Sequence, residues 1–327
     1  MERLLKKSKV LVTGGAGFIG ANLVESLLKE GNQVCCLDNF STGNKGNIRE
    51  FMDKPGFSLI EGDIRDMDVC RKAVQGVQYV FHQAALGSVP RSIKDPVTTT
   101  EVNIGGFVKI LFASAEAGVH RFIYAASSST YGDEPNLPKV EERIGNPLSP
   151  YAITKYADEL FAANFALNYM IEVIGLRYFN VFGRRQDPDG AYAAVIPRFI
   201  KSLMKHEQPV INGDGSFSRD FTYIDNVIQA NHLAALTTGK SAINQVYNIA
   251  CGERTSLKQL FEYIREIAGK RDSYILDINP KYGPAREGDI PHSLASVEKA
   301  NKMLGYSPEY DVREGLERSI EWYMSNL

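Results

Sequence analysis

Short β-rich runs alternate with amphipathic stretches through the first half of the chain. Lys9–Thr13, Gln33–Leu37, Phe57–Glu61, Tyr79–His82 and Arg121–Ala126 are apolar runs that predict buried strands. Between several of them, Phe18–Glu30 and Asp66–Val74 repeat apolar residues at helical spacing. Two longer helical patterns, about Val97–Ala117 and Tyr151–Tyr169, contain no strong break. This alternation predicts an α/β fold of Rossmann type, a doubly wound parallel sheet with helices on both faces. Ile174–Phe179 is a further strand-like run, and after Arg177 the regularity drops. Gly183–Gly190 and Asn212–Ser218 read as loops, and helical patterns return at Ala191–Lys205, Asp225–Leu236, Ser256–Ala268 and Ser293–Leu304. The strand-like Gln245–Ala250 is expected to return to the main sheet. Residues 1–178, with 220–250 returning, are therefore expected to form the nucleotide-binding sheet. Residues 179–219 and 251–327 are expected to form a smaller α/β C-terminal domain.

Composition narrows the function without naming it. The chain has 327 residues, about two domains by length, and its 44% hydrophobic and 23% charged content is that of an ordinary globular protein. A net charge of −2 provides no basic field for nucleic acid or an anionic membrane, so neither is an expected partner. A bound anion would instead be held locally, by loops, helix ends and single arginines. The apolar run Val10–Val12 ends at Thr13–Gly14–Gly15, too short for a membrane span or signal core. Cys35, Cys36, Cys70 and Cys251 have neither metal-ligand nor redox spacing, which predicts no metal site and reduced thiols in a cytoplasmic protein.

Lys9–Gly20 runs from a strand into glycines spaced GxxGxxG at Gly14, Gly17 and Gly20, then into a helix. Such a turn lets backbone approach a pyrophosphate, and its last glycine permits close helix–strand packing. Asp38 follows eighteen residues after Gly20, at the end of the second strand. A carboxylate there accepts from ribose hydroxyls and repels a 2′-phosphate, and Asn39 beside it offers no cation. The expected cofactor is NAD rather than NADP. Asp63, after the third strand, fits either a contact to the adenine amino group or a helix N-cap.

Tyr151 and Lys155 stand at i and i+4 on a helix that opens after Pro147–Pro150. A phenol of ordinary pKa, about 10, is a poor base at pH 7; half-ionising one there takes roughly 4 kcal/mol. Lys155 and a positively charged nicotinamide ring are the expected sources of that stabilisation.

With these motifs in place, the sequence resembles the extended short-chain dehydrogenase/reductases, and within them the UDP-hexose 4-epimerases that act on UDP-N-acetylhexosamines. The matching stretches are Thr13–Gly20, Asp63–Ile64, His82–Ala85, Ala126–Gly132, Tyr151–Lys155, Arg177–Asp187, Ala191–Pro197, Arg219–Asp225 and Arg286–Asp289. The resemblance implies an NAD site at Gly14, Gly17, Phe18, Ile19, Asp38, Asn39, Phe40, Ser41, Thr42, Gly43, Asp63, Ile64, Gln83, Ala84, Ala85, Tyr151, Lys155, Tyr178 and Val181. It also implies a homodimer joined through the helices near Val97–Ala117 and Tyr151–Tyr169.

The strip Ala126–Gly132 bears on the reaction. In the family a Ser or Thr four residues before its Tyr-Gly bonds the reacting sugar hydroxyl, and Ser127 fills that place. Related dehydratases carry Asp-Glu next, whereas this chain has Ser128 and Ser129, and serine does not replace a carboxylate in eliminating water. Oxidation at C4 is then followed by return of the hydride, with Ser127, Ser128, Tyr151 and Lys155 as the catalytic set. By the same resemblance Asn180, Arg219 and Arg286 face the diphosphate, where a guanidinium binds two oxygens at once. Ala194, Val195, Val210, Ile211 and Asn212 hold uridine, Asp289 the ribose, and Ser129 lies beside the sugar. A small Ser293, with Gly87 and Ser88, leaves room for a 2-acetamido group.

The expected activity is thus reversible C4 epimerisation of UDP-GlcNAc and UDP-GalNAc, serving surface polysaccharide precursors. Competing readings are epimerisation of UDP-N-acetylhexosaminuronic acids or of UDP-glucose and UDP-galactose. A non-catalytic NAD- or UDP-sugar-binding sensor is a third, and it would have no need of Ser127, Tyr151 and Lys155.

Overall fold

Each predicted strand of the first half becomes a member of one sheet. The structure, a computed structural model, describes residues 3–188, 194–284 and 290–326. Strands β1 (Lys9–Thr13), β2 (Gln33–Asp38), β3 (Phe57–Glu61), β4 (Tyr79–His82), β5 (Arg121–Ser127), β6 (Glu172–Tyr178) and β7 (Gln245–Ile249) lie in the order β7-β6-β5-β4-β1-β2-β3. All neighbours pair parallel. The short apolar runs form strands because a sheet covered on both faces buries alternate side chains on either side. Val10–Thr13 are all buried, as are Val80–His82. The C-terminal run joins the sheet as its edge, β7, whose Tyr247 lies opposite Leu176 of β6.

Helices α1 (Phe18–Lys29), α2 (Met67–Ala73), α3 (Val89–Lys94), α4 (Pro96–Thr100), α5 (Phe107–Glu116) and α6 (Pro150–Asn168) connect the first six strands. Helices α7 (Val195–Met204), α8 (Ile224–Leu236), α9 (Leu257–Gly269), α10 (Glu298–Leu304) and α11 (Val312–Asn326) follow. One core runs on a single side of the sheet from Val24 and Leu27 of α1 through Ala230 of α8 to Leu260 of α9 and Leu316 of α11. A second core, on α2, α5 and α6, is built around Phe107, Leu111 and Phe165.

Three expectations need correction. The pattern over Val97–Ala117 is not one regular helix, because Glu101–Gly106 widens into π-helix between α4 and α5. Asn103 in that stretch turns its side chain to Leu86 and Thr154, and a Cβ on Gly106 would meet Ile64 at 2.5 Å. A close-packed site with a polar insertion favours the wider turn. The Ser293–Leu304 pattern is helical only from Glu298, because the backbone before it bonds laterally: Ser293 N–H to Ser218 and Ala295 N–H to Asp220. Asn212, expected in a loop, ends a short strand, Val210–Asn212, paired with Lys281–Gly283. Among the described residues no helix is long and apolar enough to cross a membrane, and no group of three His, Cys, Asp or Glu side chains is placed to hold a metal ion.

Candidate active site

The sheet changes winding direction between β1 and β4, and connections leaving that point part to opposite faces. A crevice opens there at the carboxyl ends of the strands. Gly14 closes β1 with φ +66°, and a Cβ on it would fall 2.7 Å from the backbone of Ala84, just beyond β4. A Cβ on Gly20 would fall 2.1 Å from the Gly14 carbonyl. Both positions admit only glycine. Helix α1 starts behind this turn with Gly17 as N-cap, no side chain bonded to the cap and no acid in its first turn. Its leading N–H groups are set to receive an anion.

A cleft of about 340 Å³ lies over this turn. Of the expected cofactor residues, Gly14, Gly17, Phe18, Ile19, Asp38, Asn39, Ser41, Thr42, Gly43, Asp63, Ile64, Gln83, Ala84 and Ala85 line it, together with Gly87. Asp38 is fixed by the loop it faces: Oδ2 accepts from Ala16 N–H at 2.9 Å and Oδ1 from Phe40 N–H at 2.8 Å. Burial pushes this carboxyl above its ordinary range, against those two bonds. Phe40 departs from expectation. It takes a positive φ of 56° and packs its ring against Lys45 and the core, outside the cleft lining. Asp63 accepts from Arg65 Nη2 at 2.8 Å and Asn39 Nδ2 at 2.9 Å, and the Arg65 bonds hold its carboxyl at about 2. It is not the cap of α2, a role filled by Asp66, whose carboxylate accepts from Asp68 N–H. The glycine turn, the open helix end and the Asp38 carboxylate on the cleft wall together fit a dinucleotide.

A second cleft, about 230 Å³, shares Ile19, Gln83, Ala85 and Gly87 with the first. It adds Ser127, Tyr151, Lys155, Tyr178, Asn180 and Val181. Ser149 caps α6 by accepting from Ala152 N–H at 3.1 Å, and Pro150 occupies the first turn. Tyr151 therefore sits at the positive end of a helix, which favours a negative oxygen. Lys155, one turn on, is nearly fully buried and donates to Ala125 O at 3.0 Å and Asp158 Oδ2 at 3.2 Å. Ser127 Oγ accepts from Ser129 N–H at 3.2 Å and Ser129 Oγ at 2.9 Å. Both lone pairs are engaged, so its hydrogen is left to donate into the cleft. Below, His82 Nδ1 meets Thr13 Oγ1 at 2.7 Å, and burial lowers it to about 3, keeping the ring neutral. Tyr178 is bonded by Asn231 at 3.0 Å, and burial raises its hydroxyl to about 12.

Among the described residues, the expected substrate residues Ser88, Ser129, Ala194, Val195, Val210, Ile211, Asn212, Arg219 and Ser293, and Ser128 of the expected catalytic set, line neither cleft. Ser88 caps α3 through Arg91 N–H, and Ser128 lies in the turn after β5. Ala194 and Val195 begin α7, and Val210 is exposed on its short strand. Ile211 is fully buried in the core, so its side chain packs there rather than facing a cleft. Asn212 ends that strand, and its partner in the pairing is Gly283. Arg219 donates to Ser218 O at 3.0 Å and Pro291 O at 3.1 Å, close to the backbone that Ser293 bonds to Ser218. Asn180, which lines the second cleft, donates to Asp220 O at 3.0 Å and so ties that cleft to the residue after Arg219. Arg286 and Asp289 lie outside the described residues. Two residues escaped the sequence reading. Asp220 gathers N–H bonds from Cys251, Gly252 and Ala295, and Asp158 pairs with Lys155. An acid three residues after Lys155 on the same helix was the available signal for the second.

A parallel sheet with a glycine-turn cleft that opens onto a Ser–Tyr–Lys cleft defines an oxidoreductase-like nucleotide-binding enzyme. The family model described as the NAD dependent epimerase/dehydratase family matches residues 10–250, and the chain belongs to that family. It is 33% identical over 317 residues to a UDP-glucose 4-epimerase of Mycolicibacterium smegmatis, covering 96% of this chain and 98% of that one. The UDP-N-acetylglucosamine 4-epimerase from Methanobrevibacter ruminantium M1, solved with UDP-N-acetylmuramic acid, superposes with a TM-score of 0.91 at 37% identity, covering 99% and 100% of the two chains. The UDP-glucuronic acid 4-epimerase from Bacillus cereus, solved with UDP-glucuronic acid and NAD, gives 0.87 at 32%, covering 98% and 100%.

Proposed function

We propose that this protein is an NAD-dependent UDP-sugar 4-epimerase whose substrates are UDP-GlcNAc and UDP-GalNAc, acting in surface polysaccharide precursor synthesis. The observation that carries the reading is the joining of the two clefts: Ser127, Tyr151 and Lys155 open directly onto the space beside the glycine turn. NAD bound there would take hydride from sugar C4 and return it to the opposite face once the ketone has turned. Tyr151 takes the O4 proton during oxidation and gives it back during reduction, with Lys155 and the start of α6 stabilising its anion. Ser127, already accepting two bonds, donates its own hydrogen to O4. Ser128 and Ser129 provide no acid–base pair for eliminating water, which leaves reversal as the outcome. Asp38 selects NAD over NADP. Residues 179–219 and 251–327 anchor the UDP through Asn180, Arg219, Arg286 and Asp289, a firm hold that lets the hexose turn. A second copy of the chain joins through α4–α6 as a homodimer.

Incubation of the purified protein with UDP-GlcNAc, UDP-glucose and UDP-GlcNAcA separately, followed by resolution of the products, tests the reading. Conversion of UDP-GlcNAc to UDP-GalNAc without added NAD is the expected result. Tyr151→Phe should lower turnover by about 10²–10⁴-fold while NAD and UDP-sugar still bind. Near-normal turnover in that variant overturns the role of the phenol.

A further inference from the structure

Lys155 does not act in isolation. Asp158 leaves the same face of α6 three residues later, and its Oδ2 accepts from the ammonium at 3.2 Å. The carboxyl has no exposed surface, burial raises it to about 7 against the pull of Lys155, and its Oδ1 is one of two buried side-chain atoms among the described residues without a hydrogen-bond partner. Burying an ion pair with an unsatisfied oxygen is a poor route to stability, since a well-packed apolar residue of similar size often serves at least as well. A carboxylate kept there therefore calls for a use beyond folding.

The charges around it leave Lys155 as its direct counterpart. Glu159, next on α6, is claimed by Arg177 of β6 through bonds of 2.8 and 2.7 Å. Tyr124 of β5 is fully buried, and burial together with the two neighbouring carboxylates pushes its hydroxyl well above its ordinary range. Tyr131, in the turn after β5, donates to Asn248, and His82 of β4 is kept neutral by burial. The buried side chains that α3, α4, the 101–106 stretch and α5 present are Ser92, Thr99, Asn103, Ser114 and apolar groups, none titratable in the ordinary range. Of the three N–H groups on Lys155, one goes to Ala125 O and one to Asp158, leaving one for the cleft.

We propose that Asp158 is a positioning residue for the reaction: it fixes Lys155 and offsets its charge, and so sets how strongly the ammonium draws the proton from the Tyr151 hydroxyl. This rests on Tyr151 as the base, as proposed above. Asp158→Asn keeps an acceptor for the ammonium but removes the opposing charge that the carboxyl carries above about pH 7. Asp158→Leu removes both.

The test measures pH profiles and a titration that needs no turnover. In Asp158→Asn the acid limb of kcat/KM should move to lower pH by about half a unit to one unit. Asp158→Leu, with Lys155 released, should lose about tenfold in kcat with little change in KM. A merely structural role would lower stability without moving the limb. Independently, the tyrosinate absorbance of the NAD-loaded protein is titrated in wild type, Tyr151→Phe and Asp158→Asn. The step absent from Tyr151→Phe should move to lower pH in Asp158→Asn. A step that stays in place or moves upward overturns the role of Asp158, whichever sugar is epimerised. If the sugar assay fails while the step moves, the substrate reading is at fault and the role of Asp158 stands. Should Asp158→Leu fail to fold, the asparagine variant alone decides the question.

Discussion

Ser127 illustrates how a hydroxyl acquires a direction. A free serine donates and accepts indifferently, but here Ser129 supplies two donors to the same Oγ, and the remaining hydrogen faces the cleft. At Ser293, which the proposed function sets beside the sugar, size would matter more than direction. Ser293 is held by its backbone against Ser218, and Ala295 beyond it is tied to Asp220, so the segment has little freedom to retreat from a larger side chain. If the proposed function holds, replacement by tyrosine would fill space that a 2-acetamido group needs. The ratio of kcat/KM for UDP-GlcNAc over UDP-glucose should fall in Ser293→Tyr by about 10–200-fold, the worth of a few atoms of steric discrimination. An unchanged ratio would separate Ser293 from substrate choice.

Between elements, α1 and α8 are tied to Arg184 and Arg185, beyond β6, by charge. Glu25 of α1 accepts from Lys29 at 2.6 Å and from Arg185 at 2.7 Å, while Arg184 reaches Asp225 at the start of α8 at 2.8 Å. Burial would raise the Glu25 carboxyl, but the bonds from Lys29 and Arg185 outweigh it and hold the group at about 2. An acid depressed from about 4.3 in the unfolded chain contributes its stability above that pH and loses it as pH falls towards 2. Glu25→Gln should therefore unfold at lower denaturant at pH 7, by about 2 kcal/mol, and the gap should close as the pH approaches 2. Equal gaps at both pH values would exclude the ion pairs as the cause. Legibility in the sequence follows the same divide between local and non-local bonding. Strands such as Tyr79–His82 were readable because both sheet faces are covered, which makes the whole run apolar. The GxxGxxG turn and the Tyr151–Lys155 pair were readable because their chemistry depends on nearby spacing. The segment before Glu298 was not, since its backbone bonds run sideways to Ser218 and Asp220. Ile211 looked like a ligand contact because nothing in Val210–Ile211–Asn212 tells which side chain the core will claim. Asp158 was hidden for a related reason: only tertiary packing makes it a buried acid.

At the scale of the whole molecule, α6 has one face turned into the protein and one exposed apolar face. Tyr151, Lys155 and Asp158 turn inward, whereas Ile153, Leu160 and Leu167 are exposed and recur every seven residues along the helix. Leu167 is 82% exposed, and beside α6 lie α3 and α4 with Ile93 at 64% and Val97 at 67%. A seven-residue apolar stripe on an exposed helix is the seam by which helices pack together, and a contiguous apolar face of this kind marks an association surface. A second copy presenting the same stripe would bury it through twofold symmetry as a four-helix bundle. Leu160→Glu would place a charge in the middle of that seam, with no buried partner to satisfy it. Sedimentation equilibrium should give twice the 36.3 kDa chain mass for the wild type and the single mass for Leu160→Glu. A monomeric wild type would overturn the dimer. Because the seam and the catalytic turn share one helix, the monomeric variant should also lose part of its kcat, through a less firmly held Lys155, while its NAD affinity, set at the glycine turn, changes little.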